Sequence, residues 1–212
     1  MYRKVACINN MGIHKLRLGF LASHRGSNMQ AIIDACKERL LNADPVVVIS
    51  NNGSSGALDR AASEGIPAYH ISVRNYPDPD MLDRAMCDIL HKHRVDLVVL
   101  AGYMKKIGPE TLAAYSGRII NIHPALLPKH GGKGMYGMKV HEQVLASGDT
   151  ETGATVHLVA DDYDTGRILA QQCLPVLAND TPETLGERVL QIEHRLYVDT
   201  LSRIINGEIL LD

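Results

Sequence analysis

Short solid apolar runs alternate along the chain with stripes of helical period. Leu16 to Ala22 reads as a strand, and Ser23-His24-Arg25-Gly26-Ser27 as the turn behind it. Ser27 is placed to cap a helix whose apolar residues Met29, Ile32, Ile33, Cys36 and Leu40 keep helical spacing. Pro45 to Ser50 carries Val46-Val47-Val48-Ile49, apolar on both faces, as suits a strand covered on both sides of a parallel sheet. The turn Asn51-Asn52-Gly53 leads into a short helix through Glu64, and Ala68 to Ile71 is a short strand. Residues 79–94 predict a helix with Leu82, Ala85, Met86, Ile89 and Leu90 on one stripe and Asp83, Arg84, Asp88 and Lys92 off it. Leu97 to Ala101 is a strand, a short helix starts near Pro109, and a further strand starts at Arg118.

This alternation predicts an α/β fold, a twisted and mostly parallel sheet with helices on both faces and right-handed crossovers. Residues 131–137 form a glycine-rich loop that lacks the GK[ST] ending of a phosphate-binding Walker loop. A helix from Met138 to Ala146 ends at Gly148. Ala154 to Val159 and Ile168 to Leu174 are strands around an acidic loop at 161–166. Thr181-Pro182-Glu183 opens a last helix striped by Leu185, Val189, Ile192 and Leu196. No repeat or linker divides the chain, so the expected organisation is an extension over residues 1–15 and one domain over 16–212.

Composition narrows the classes. The 212 residues hold 22 basic against 24 acidic side chains, which signals no basic face for nucleic acid. No apolar run approaches the roughly 18 residues that a membrane span needs. The first residues, with Arg3, Lys4, Asn9 and Asn10, lack the apolar core of a signal peptide. Cys7, Cys36, Cys87 and Cys173 form no CxxC pair, and the expectation is reduced thiols in a cytoplasmic protein.

Chemistry concentrates at Asn121-Ile122-His123-Pro124-Ala125-Leu126-Leu127-Pro128. Asn121 and His123 are two apart, so on a strand they share a face, at the strand end where α/β sheets place their sites. The bland alternative is a pair of satisfied polar residues in a turn. Gly26-Ser27-Asn28 offers backbone N–H groups at a helix start, where anions bind, although most such turns bind nothing. A Rossmann dinucleotide fingerprint is absent there, against NAD. The loop Ala160-Asp161-Asp162-Tyr163-Asp164 lacks EF-hand spacing. Asp164 beside His123 would favour the imidazolium and raise its pKa above the usual value of about 6.5. No metal is expected, since Leu145 takes the second histidine position of an HExxH pattern opened by His141-Glu142. His157 reads as a satisfied core histidine, and Glu193-His194 either lines a site or faces water.

Taken together with Leu100-Ala101-Gly102-Tyr103-Met104 and Gly153 through His157, these residues resemble the folate-dependent formyltransferases. The Gly-Ser-Asn turn and the late Glu-His pair narrow the resemblance to the glycinamide ribonucleotide transformylases of purine synthesis. The resemblance runs from about Leu16 to the C-terminus and implies a Rossmann-like fold with an antiparallel C-terminal strand region. It implies formyl transfer from 10-formyltetrahydrofolate as co-substrate to 5'-phosphoribosylglycinamide, without nucleic acid or membrane partners, by a monomer or weak homodimer. It assigns catalysis to Asn121, His123 and Asp164. It assigns the ribonucleotide to Gly26, Ser27 and Asn28, and the glycinamide end to Leu190, Gln191, Ile192 and Glu193. The folate walls become Met104, Lys105, Lys106 and Ile107 with Asn121 and Ala160, Asp161, Asp162, Tyr163 and Asp164. Two departures touch the folate tail. Lys105 stands where relatives often carry Arg, and Pro79 falls near the place of a second Arg, leaving Arg74 to substitute. The shared alternatives are a 10-formyltetrahydrofolate hydrolase, expected to need an N-terminal regulatory domain that the few residues before Leu16 are too short to form, and a sugar-amine formyltransferase. A methionyl-tRNA formyltransferase is expected to continue beyond Asp212.

Overall fold

The computed structural model describes residues 15–211, so the expected extension lies outside the described residues except for Lys15. Seven strands form one sheet in the order β3-β2-β1-β4-β5-β6-β7. The strands are β1 (Leu16–Ala22), β2 (Ala43–Ser50), β3 (Ala68–His70), β4 (Leu97–Leu100), β5 (Ile119–His123), β6 (Glu151–Leu158) and β7 (Ile168–Pro175). The first five pair in parallel. β6 and β7 run antiparallel, with His123 opposite Thr155 and Asn121 opposite His157.

Among the described residues, six helices connect or flank the strands: α1 (Ser27–Lys37), α2 (Gly56–Ser63), α3 (Pro79–Lys92), α4 (Pro109–Ala114), α5 (Met138–Ala146) and α6 (Pro182–Ile205). Both faces of the central strands are covered, as their two-sided apolar runs require. One layer joins Met29, Ile32 and Ile33 of α1, Ala57 and Ala61 of α2 and Ile192, Leu196 and Tyr197 of α6 against Phe20, Val48, Val99, Ile120 and Val156. The other packs Met86 and Leu90 of α3 with Ile107 and Tyr115 around α4 against Leu21, Val47, Val98 and Ile119. Among the described residues no helix is long and apolar enough to cross a membrane.

Three local expectations are corrected. Gly26, not Ser27, is the N-cap of α1, at φ 69°, and no side chain caps that helix. Leu40 lies past the helix end and is 66% exposed, while Leu41 is buried in its stead. Asp83, read as off the apolar stripe, is buried. Its carboxylate accepts from the Glu110 and Thr111 N–H groups at 2.7 and 3.2 Å and from the Thr111 hydroxyl at 2.5 Å. α3 thereby caps the start of α4, satisfying donors that the helix itself leaves open. Gly108 must be bare, since a Cβ there would collide with that carboxylate.

Candidate active site

Alternation along β5 and β6 decides which side chains can meet. Ile120, Ile122, Ala154, Val156 and Leu158 join the α1–α6 layer. Asn121, His123, Thr155 and His157 therefore share the opposite face. Over this part of the sheet, the loops at 124–137 and 160–164 approach instead of a helix. They leave a cleft of about 490 Å³ bordered by Asn121, His123, His157, Asn28, Glu193, Met104 to Ile107 and Ala160 to Asp164.

Asp164 lies between two imidazoles, 3.5 Å from His123 Nδ1 and 3.5 Å from His157 Nε2. It holds φ 58°, and the Gly132 N–H donates to it at 2.9 Å. Burial pushes its carboxyl up, but the His157 and His123 rings and the Gly132 donor together pull it below the ordinary carboxylate range. His123 is 3% exposed, and its Nε2 donates to the His130 carbonyl at 2.8 Å. A carbonyl only accepts, so Nε2 carries the proton and Nδ1 faces Asp164. The expected rise of the His123 pKa is overturned. Burial depresses it more than Asp164 and the His130 carbonyl lift it, because the imidazolium loses its hydration in this pocket. In its neutral form the ring is a base with its lone pair at Nδ1, because Nε2 holds the proton.

His157, read as a core residue, belongs to the site. Its Nδ1 donates to the Leu158 carbonyl at 2.8 Å, and its Nε2 lies 3.1 Å from Asn121 Nδ2. In the neutral ring Nε2 is a lone pair, so the Asn121 amide donates to it. That contact fixes which end of Asn121 is nitrogen and leaves its second N–H for the cleft. The signal available in the sequence was the parity of His157 with Thr155, but its partner strand was not deducible from it.

The far wall is built by α1 and α6. Glu193 is 8% exposed and accepts from Asn28 Nδ2 at 2.6 Å, while Asn28 Oδ1 is buried without a partner among the described residues. Burial lifts the Glu193 carboxyl from 4.5 to about 7, against the pull of Asn28. One turn later the Tyr197 hydroxyl lies 3.0 Å from the Leu100 carbonyl and 3.1 Å from that of Ile120, tying α6 to β4 and β5. Of the segment 190–193, only Glu193 borders the cleft, and Ile192 belongs to the core. Gly26 and Ser27 precede Asn28 at the α1 start, where a Gly26 Cβ would come within 2.9 Å of Ala57. The nine folate-wall positions in 104–107 and 160–164 all line the cleft, whereas Arg74 lies exposed outside its lining. Among the described residues no group of three or more His, Cys, Asp or Glu is placed to hold a metal ion.

This chain belongs to the formyl transferase family, whose model matches residues 16–201. It is 44% identical over 194 residues to the chloroplastic phosphoribosylglycinamide formyltransferase of Arabidopsis thaliana, covering 91% of this chain and 66% of that protein, just under two thirds of its length. It is 36% identical over 189 residues to the phosphoribosylglycinamide formyltransferase of Escherichia coli strain K12, covering 89% of this chain and 87% of that one. The crystal structure of glycinamide ribonucleotide transformylase 1 from Symbiobacterium toebii superposes with a TM-score of 0.88 at 37% identity, over 95% of this chain and 92% of that chain. A formyltetrahydrofolate deformylase from Pseudomonas syringae pv. tomato str. DC3000 superposes with a TM-score of 0.83 at 26% identity, over 94% of this chain but 64% of that one.

Proposed function

We propose that residues 16–212 transfer a formyl group from 10-formyltetrahydrofolate to the amine of 5'-phosphoribosylglycinamide, a step of de novo purine synthesis. The observation that carries this reading is the convergence of Asn121, His123 and Asp164 at the meeting point of two dissimilar walls. One wall, Asn28 at the start of α1 with Glu193 from the middle of α6, offers buried polar groups suited to a phosphorylated amine. The other, 104–107 with 160–164, offers Met104, Ile107 and Tyr163 to a flat heteroaromatic ring.

The chemistry follows from the protonation pattern. The amine nitrogen attacks the formyl carbon, and the carbonyl oxygen takes the electron pair. The free Asn121 N–H donates to that oxygen, as an oxyanion hole does. His123 Nδ1 takes the proton that the amine sheds, and the Asp164 carboxylate 3.5 Å away stabilises the resulting imidazolium. The ring returns that proton to the N10 nitrogen as the carbon–nitrogen bond breaks. One proton moves from amine to leaving nitrogen, and His123 ends as it began.

The test is to incubate the protein with both substrates and follow formylated glycinamide ribonucleotide and formate by mass spectrometry. Formyl transfer that disappears without the amine supports the reading. Formate released at the same rate without the amine would make the protein a hydrolase instead. Replacing Asn121 with Ala is expected to lower kcat roughly 10²–10³-fold in a protein that still folds.

A further inference from the structure

The loop that leaves His123 comes back to it. Thr155 Oγ1 donates to the Ala125 carbonyl at 2.6 Å and accepts the Leu127 N–H at 3.1 Å, which fixes the first turn. His130 then takes φ 55°, a left-handed conformation that strains a residue with a side chain. Two contacts hold it there. Its carbonyl accepts from His123 Nε2 at 2.8 Å, and its ring, 9% exposed, puts Nε2 2.6 Å from Asp149 Oδ2. Asp149 follows Gly148 in the turn after α5 and also pairs with Lys129, whose side chain is 63% exposed.

We propose that Asp149 is a positioning residue. By gripping the His130 ring it keeps the His130 carbonyl on His123 Nε2 and so fixes the tautomer and plane of the imidazole. The inference rests on the proposed role of His123 as proton carrier. The two neutral tautomers of an imidazole are close in energy, and the hydrogen bond at one nitrogen selects what the other presents. With the carbonyl in place, Nδ1 presents a lone pair to the cleft. Without it, a share of the molecules present an N–H there and cannot accept the proton of the amine. The strained backbone at His130 makes this loop ready to relax once the ring is released.

The experiment reads the imidazole directly. In protein labelled with ¹⁵N in its histidines, His123 is expected to show a protonated Nε2 and an unprotonated Nδ1. Asp149→Ala is expected to move both signals toward a tautomer average. It should lower kcat about 10- to 100-fold, the effect of slight misplacement of a reacting group, with KM for either substrate changed less than about twofold. His130→Asn, which tolerates the left-handed backbone but is too short to reach Asp149, is expected to behave likewise. Lys129→Ala, which removes only the exposed partner of Asp149, should match the unaltered protein in both readouts. Unchanged His123 signals in Asp149→Ala overturn the proposal whatever the rate, as does an equal loss of kcat in Lys129→Ala. The NMR readout needs no substrate. A protein that transfers no formyl group would refute the proposed function, while the tautomer signals still decide the role of Asp149.

Discussion

The buried carboxyl of Glu193 makes the stability of the fold depend on pH. It sits on the buried stripe of α6, and burial holds its carboxyl at about 7 against an ordinary 4.5. An acid whose pKa is raised on folding binds more protons folded than unfolded between those two values. The folded state therefore loses stability as pH rises through that window, at about 1.4 kcal/mol per pH unit, and the loss is complete above about pH 7. Across the interval from 4.5 to about 7, this comes to on the order of 3 kcal/mol. Glu193→Gln removes the titration while keeping the volume. Its carbonyl can accept from Asn28 Nδ2, and its amide can donate to the unpartnered Asn28 Oδ1. The assay is urea unfolding of both proteins from about pH 4.5 to about pH 8, read as the difference between them at each pH. Contributions from the other titrating groups cancel in that difference. The variant should match the unaltered protein near pH 4.5 and gain on it steadily until about pH 7, then keep a constant lead. Parallel curves, or a lead that grows toward acid, would refute the reasoning, since folding would then not raise the Glu193 pKa.

Further outcomes are expected at three other positions. Asp164→Asn should cut kcat strongly, leave ribonucleotide affinity nearly unchanged, and lower the His123 pKa further below its ordinary value, because the carboxylate is what lifts it. NMR titration of His123 in both proteins checks the sign, and a rise would contradict it. Gly26→Val should weaken ribonucleotide binding far more than folate binding, since φ 69° and the approach to Ala57 both exclude a branched side chain at the α1 start. Calorimetry with each ligand separately decides this, equal losses counting against the assignment. Asp83→Ala should cost about 2–4 kcal/mol of stability in denaturant unfolding, because three donors at the start of α4, the two of Thr111 buried, lose their acceptor together. A loss below about 1 kcal/mol would mean that water replaces the carboxylate there.

Much of the fold was legible because period and burial agree. The apolar-rich stretches at 16–22, 46–49 and 97–100 became the strands at the sheet centre, where both faces are covered. α5 and β1 keep the bounds that their sequence signals predicted, with glycine just past α5 and a turn past β1. The final helix starts where Thr181 caps it, in a box with Thr184. Parity alone put Asn121 and His123 on one face of β5, and the structure keeps them there.

What the sequence alone determined, then, was the face of its own element on which each residue lies. What lies over that face depended on chain returning from far away. Asp164 reaches His123 because β6 pairs antiparallel to β5 and the acidic loop folds back over them, a register that no local pattern encodes. The same pairing turned His157 from a core residue into the partner of Asn121, and the packing of α3 on α4 turned Asp83 from a solvated residue into a buried cap. The His123 pKa came out below its ordinary value rather than above it for this reason too. Proximity to a carboxylate was foreseeable from the resemblance, but desolvation sums over every group stacked around the ring, and only the folded chain sets that sum.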